Sequence, residues 1–160
     1  MAAVAELARL REQLQRAHDL CGHARLSSAN ERVSRWSPAE HVDHLLKVTK
    51  SILDLLASDE VVPRRISFLG RCVLALRWIP RGLGKAPQRL HGQPATVEEL
   101  QRRLARVSAA LAAVDPAVVD AVHIRNIPHP RFGGLTPAQA LRFAAVHGEH
   151  HLKIVGDILR

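Results

Sequence analysis

The sequence predicts an all-α protein built as a four-helix bundle. Three observations carry that prediction. Four stretches place apolar residues at alternating steps of three and four, the spacing that lines one face of a helix. Three helix-start signatures stand in front of such stretches: Ser37-Pro38-Ala39-Glu40, Thr96-Val97-Glu98-Glu99 and Thr136-Pro137-Ala138-Gln139. Each pairs a hydroxyl residue with Glu or Gln three positions on, and two add proline at the first helical position. No stretch alternates with period two, and no Asn-Gly hairpin signal occurs.

The first helix is expected near residues 3–26, where Val4, Leu7, Leu10, Leu14, Ala17 and Leu20 form a stripe. The second, near 38–57, carries Val42, Leu45, Leu46, Thr49, Ile52, Leu53 and Leu56. The third, near 97–114, carries Val97, Leu100, Leu104, Val107, Leu111 and Val114. The fourth runs from Pro137 to about residue 159. Roughly ten residues, Ser27 to Trp36, join the first two, so they are expected to be antiparallel neighbours. Ser58 to Ala95 separate the second from the third, enough to cross the bundle and let those helices run parallel. That connection holds a short amphipathic helix, Ile66 to Trp78, and then a Pro/Gly-rich run, IPRGLGKAP.

Length and composition bound the rest. A chain of 160 residues is expected to form a single domain, 1–160, and to bury a core without disulfides or metal staples. Aromatic residues are only 3%, so Leu, Val, Ile and Ala must fill that core. No apolar run is long enough to span a membrane, and the N-terminus lacks the apolar region of a secretory signal. Cys21 and Cys72 fit no CxxC pattern, which excludes a disulfide framework and a Cys-rich zinc site and points to the reducing cytoplasm.

The formal charge is +8, and its distribution is uneven. From Val61 to Ala95 there is no acid, against Arg64, Arg65, Arg71, Arg77, Arg81, Lys85 and Arg89. The remainder is close to neutral. A nucleic-acid binder would spread its basic face over the domain, so no nucleic-acid partner is expected. Three readings of the segment stay open. Its arginines, Arg77 and Arg81 foremost, can hold the carboxylates of an anionic small-molecule ligand. Its Ile66, Leu69, Val73, Leu74, Leu76 and Trp78 can lie on an anionic membrane surface. Or the helix simply packs its apolar side on the bundle and solvates its arginines.

Ten histidines carry most of the chemical information. His147 and His151 stand four apart, one above the other on a helix face that also bears Ala140, Phe143, Ala144, Ile154 and Ile158. Two imidazoles in a core-facing stripe need partners, and one metal ion satisfies both. Hydrogen-bonded core histidines are the plainer alternative. Helix two offers His41 and His44 as a third ligand. His44 lies about 10 Å along its helix from the cap, and His151 about 12 Å from the far end of helix four. Those levels meet if the two helices are antiparallel. The helical wheel puts His41 nearer the apolar stripe and His44 at its edge. Trp36, just before a cap, is expected to staple the helix start.

Taken together, Trp36-Ser37-Pro38-Ala39-Glu40 with His44-Leu45, then His129-Pro130-Arg131-Phe132-Gly133, then His147-x-x-His150-His151-Leu152, resembles the DinB-like (DinB/YfiT-like) metalloenzyme superfamily over residues 36–156. The run from Ile79-Pro80-Arg81-Gly82 to Ala86-Pro87 is similar to the long connection of some members. The resemblance implies a bundle of up-down-down-up topology, often a homodimer. It implies a metal triad of His44, His147 and His151, and so selects His44 over His41. It implies zinc or nickel with water in open positions, and thiol-dependent transferases or isomerases using glutathione, mycothiol or bacillithiol. Members commonly carry Gln three residues after the last triad histidine; here that position is Ile154.

A three-histidine site with open positions can hold a thiol as thiolate or make hydroxide from water. The first supports an S-transferase, the second a hydrolase. A non-catalytic or stress-related bundle with structural or absent metal is the third expectation. His41, His129 and His150 are candidates for supporting the ligands or touching substrate, with exposed or capping histidine as the alternative for each.

Overall fold

The helix starts form as their residues dictate. In the computed structural model, which describes residues 2–56, 58–82 and 86–160, the long helices are α1 (Ala2–Leu20), α2 (Pro38–Leu55), α4 (Val97–Ala112) and α6 (Pro137–Leu159). The side chains of Ser37, Thr96 and Thr136 accept the backbone N–H of Glu40, Glu99 and Gln139. The Glu40, Glu99 and Gln139 side chains accept in return the N–H of each cap residue. Each such cap stabilises its helix by about 1 kcal/mol. Ala57, expected at the end of the second helix, lies outside the described residues.

Long-range hydrogen bonds give the helix directions. Gln13 bonds to the Ala145 carbonyl, and Arg25, beyond the end of α1, to those of Ile158 and Leu159, so α1 runs parallel to α6. His44 meets His147 and His41 meets His151, so α2 runs antiparallel to α6. The chain enters α4 beside the start of α2, where Gln93 N–H reaches Asp43, and α5 (Pro116–Ala121) returns to the start of α1, where Asp120 accepts the Ala3 N–H. The topology is therefore up-down-down-up.

One adjacency differs from expectation. α1 packs on α6 and α4, and so does α2, which leaves α1 and α2 antiparallel but across the diagonal. The reason is the earlier end of α1, at Leu20 instead of near residue 26. Cys21 and His23 close three-residue turns onto His18 and Leu20 in place of helical bonds. The connection is then longer than roughly ten residues and crosses the end of the bundle, turning Leu26 into the core.

The long connection holds α3 (Phe68–Leu76), capped by Ser67 and shorter than the expected Ile66–Trp78. Arg77 ends it in the left-handed region at φ 52°. That conformation costs a non-glycine residue of order 1 kcal/mol. Its guanidinium compensates by gripping the buried Glu6 carboxylate with two bonds of 2.7 Å.

Beyond the sequence reading stand a 3-10 turn at Gln88–Leu90, α5, capped by Asp115, and a hairpin of β1 (Ile127–His129) and β2 (Gly133–Leu135). The expectation of no strands is corrected here. Three-residue strands are too short to show an alternation, and the turn contains no Asn-Gly. Residues 62–67 lie along the hairpin, with Gly134 N–H donating to Arg64 O and Ser67 N–H to Phe132 O. A side chain on Gly133, at φ +83°, would come within 2.4 Å of the Arg65 carbonyl oxygen.

The core between the helices is aliphatic, with Leu7, Leu10, Leu45, Leu46, Leu100, Leu111, Leu141 and Ile158 almost fully buried. Leu141→Ala, which opens a cavity under α6, is expected to lower the unfolding free energy by about 2–5 kcal/mol in urea titrations.

Candidate metal centre

The antiparallel contact of α2 and α6 brings four imidazoles to one level. His44 Nε2 lies 3.1 Å from His147 Nε2, and His151 Nε2 lies 3.2 Å from the same atom. One ligand nitrogen from each of His44, His147 and His151 falls within 4.8 Å of the other two, and all three residues are buried. Nitrogens held about 2.0–2.1 Å from a common ion would be separated by roughly 2.9–3.4 Å. The two observed separations fall in that range.

The outer nitrogens are held as well. His44 Nδ1–H donates to the Leu90 carbonyl, which leaves its Nε2 lone pair facing the other rings. His151 Nδ1 lies 2.9 Å from His41 Nδ1, and His41 Nε2 lies 2.9 Å from Ser34 Oγ. The Leu90 carbonyl thus sets the tautomer of His44, and the Ser34–His41 pair holds the ring of His151 in place. His147 Nδ1 is buried with no partner among the described residues.

The rings are neutral for a physical reason. Burial pushes His44, His147 and His151 below the ordinary histidine value, the last two far below, and neighbouring imidazoles add to the effect. His41 is pushed down to about 4, by burial first and then by the nearby His44, His150 and Arg81. Neutral imidazole with a free lone pair is the form that binds a metal, so the donor set fits a divalent transition ion.

A strap from the long connection closes the site. It carries the Leu90 carbonyl in a single 3-10 turn, Gln88–Leu90. The fully buried Asp43 accepts the Gln93 N–H at 2.9 Å and pairs with Lys47 and Arg103. Lys47 also donates to the His91 carbonyl. A side chain on Gly92 would come within 2.1 Å of the Glu40 carbonyl oxygen, so only glycine lets the strap lie this close to α2. Asp43, Gly92, His91 and Leu90 were invisible to sequence reasoning. A backbone acceptor has no residue signature, and Asp43 reads as an ordinary helix-surface acid.

Trp36 has a different place from the one expected. Its ring lies edge-on to His41, His44 and His91, with centroids 5.2–6.0 Å apart, and stacks over His151. It walls the histidine cluster where a helix staple was expected. Beside the cluster opens a mostly apolar cavity of about 1230 Å³, walled by Trp36, Ile52, Val73, Leu90, Phe132 and Phe143 among others. His147, His150 and His151 line it, as does His129.

The other predicted residues divide. His150 stands edge-on to His151 at 5.1 Å. His129 stacks on Phe132, and its Nδ1 accepts the N–H groups of Arg131 and Phe132, tying the hairpin turn. Arg77 and Arg81 do not line the cavity: Arg77 is bound to Glu6 and Arg81 to Asp157. The arginines on its wall are Arg35, Arg89 and Arg131, all exposed. Lys85 lies outside the described residues, and Ile154 is buried in the core.

The sequence profile of the DinB superfamily matches residues 6–155. This chain belongs to the DinB superfamily. No curated protein and no solved structure matches it. The DinB match runs from α1 to the last turns of α6, so it takes in the three buried histidines, the strap and the hairpin.

Two outcomes follow from this DinB-superfamily site. Gly92→Ala is expected to push the strap off α2 and lower the unfolding free energy by about 1–3 kcal/mol in urea. His129 is held down to about 4 by burial and by Arg131, against 6.5 when unfolded. The unfolded chain therefore takes up a proton first as pH falls, and metal-free protein loses up to roughly 3 kcal/mol between pH 6.5 and 4 from this residue. That contribution is complete above pH 6.5. Thermal melts across the range should show the fall, and His129→Gln should make it shallower by this residue's share, leaving that of the other buried histidines.

Proposed function

We propose that the protein binds one divalent transition metal, zinc or nickel, through His44, His147 and His151, and uses it in thiol transfer to an electrophile. The observation that carries the reading is the convergence of three neutral, buried imidazoles on one point beside a cavity. A bound divalent ion holds a thiol as thiolate at neutral pH, the reactive nucleophile. Among the described residues no fourth His, Cys, Asp or Glu joins the three, and His41 is turned to the far side of His151. That openness favours a catalytic over a purely structural site.

The chain's own groups supply the remainder. The Leu90 carbonyl fixes His44 in the tautomer that offers Nε2, and His41 holds the ring of His151. Trp36, Phe132 and Phe143 give the cavity wall beside the histidines an apolar character. Arg35, Arg89 and Arg131 ring the cavity and can hold the carboxylates of a thiol such as glutathione, mycothiol or bacillithiol, the task that the sequence suggested for Arg77 and Arg81. His150 lines the same cavity within reach of a bound substrate.

Elemental analysis of protein purified without a histidine tag tests the ligand set directly. The wild type should carry about one metal per chain, His147→Ala none, and His150→Ala the wild-type amount. Equal retention by the two variants rejects the assignment. His41→Phe should weaken metal affinity about 10–100-fold while leaving the three ligands in place. Calorimetry with the metal-loaded protein then tests the thiol step. Binding of one of the three thiols, weakened several-fold in Arg35→Gln and Arg89→Gln, supports it. No binding at millimolar thiol favours a metal-dependent hydrolase or a non-catalytic bundle.

A further inference from the structure

The most basic stretch of the chain is also the most apolar at its surface. In α3 the residues Gly70, Val73 and Leu74 turn inward, where the helix packs on α6. The opposite side would ordinarily be polar. Instead Phe68 is 75% exposed, Leu76 71% and Leu69 43%, with Cys72 between them and Trp78, 59% exposed, just beyond. Phe68, Cys72 and Leu76 are four apart and so form one stripe. Exposed Arg64, Arg65 and Arg71 flank it, and no acid occurs from Val61 to Ala95. The nearest acids in sequence, Asp59 and Glu60, precede the segment.

We propose that this face seats the protein on an anionic lipid surface. Charge decides among occupants. A second copy docked through the same face would bring its own Arg64, Arg65 and Arg71 against these, and like charges in a desolvated contact oppose association. A bilayer with anionic headgroups takes up the arginines while Phe68, Leu76 and Trp78 enter the boundary below. Among the described residues no helix is long and apolar enough to cross a membrane, so the contact is peripheral. Leu69 belongs both to this face and to the cavity wall. Leu69 thus joins the docked face to the rim of the cavity.

The test is sedimentation of the 160-residue chain with two kinds of vesicle, phosphatidylcholine alone and phosphatidylcholine mixed with phosphatidylglycerol. Binding to the mixed vesicles should be at least tenfold tighter, and tryptophan emission should shift to the blue, a shift lost in Trp78→Phe. Phe68→Ser with Leu76→Ser should lose at least tenfold in binding, as should Arg64→Gln with Arg65→Gln and Arg71→Gln, each with an unchanged circular dichroism spectrum. Equal binding to both vesicles overturns the proposal. So does full retention in the Phe68/Leu76 variant, which would leave charge alone as the cause. Light scattering at twice the 17.6 kDa chain mass that reverts to one chain in that variant would assign the face to a second copy instead. Binding to polyglutamate as tight as to the mixed vesicles would assign it to an acidic protein.

Discussion

The antiparallel seam between α2 and α6 is the constraint on which the remaining structure depends. Packing two helices through imidazoles is unfavourable unless each ring nitrogen finds a partner, because a buried polar group without one costs roughly 1–3 kcal/mol. The seam meets most of that requirement internally. Ser34, His41 and His151 form one chain of bonds, and Leu90 serves His44. What stays under-satisfied is His147 Nδ1, which has no partner among the described residues, and the meeting point of three Nε2 atoms, where protons alone cannot serve every lone pair. The same geometry that makes the metal-free core imperfect makes it a binding site.

The strap follows from the seam. Leu90 can serve His44 only if the connection between α3 and α4 is pinned against α2, and a buried carboxylate does the pinning. Asp43 is fully buried, yet it is matched by Lys47, Arg103 and a backbone N–H. Removing any one of those would leave charge in a low-dielectric setting, which is far costlier than breaking a surface pair. The hairpin plays the matching part across the cavity. His129 ties its turn, and Gly133 and Gly134 let residues 62–67 lie against it, so Phe132 is held beside Phe143 and the histidines.

Charge is handled by location. Two of the seven bases between Val61 and Ala95 are occupied in holding the fold, Arg77 on Glu6 and Arg81 on Asp157. Others face solvent around α3 or stand at the cavity rim. A single acid-free segment thus serves three physical purposes that composition cannot separate: anchoring α3 to the bundle, lining a cavity, and giving one surface a strongly positive apolar face.

The helices, their starts and the pairing of His147 with His151 were legible in the sequence, because caps and stripes act within a few residues and need no distant partner. The depth of His44 was legible too, once α2 and α6 were taken as antiparallel. The choice of His44 over His41 came from resemblance, and the helical wheel could not make it. Both histidines are buried, one beside His147 and the other behind His151, and helical periodicity reports burial without reporting which ring it faces. The diagonal placement of α1 and α2, the Leu90 carbonyl, the hold of Asp43 on the strap and the capture of Arg77 by Glu6 all join residues far apart in the chain. Only the tertiary structure decides such contacts, since long side chains and backbone carbonyls take whichever partner the packing brings within reach.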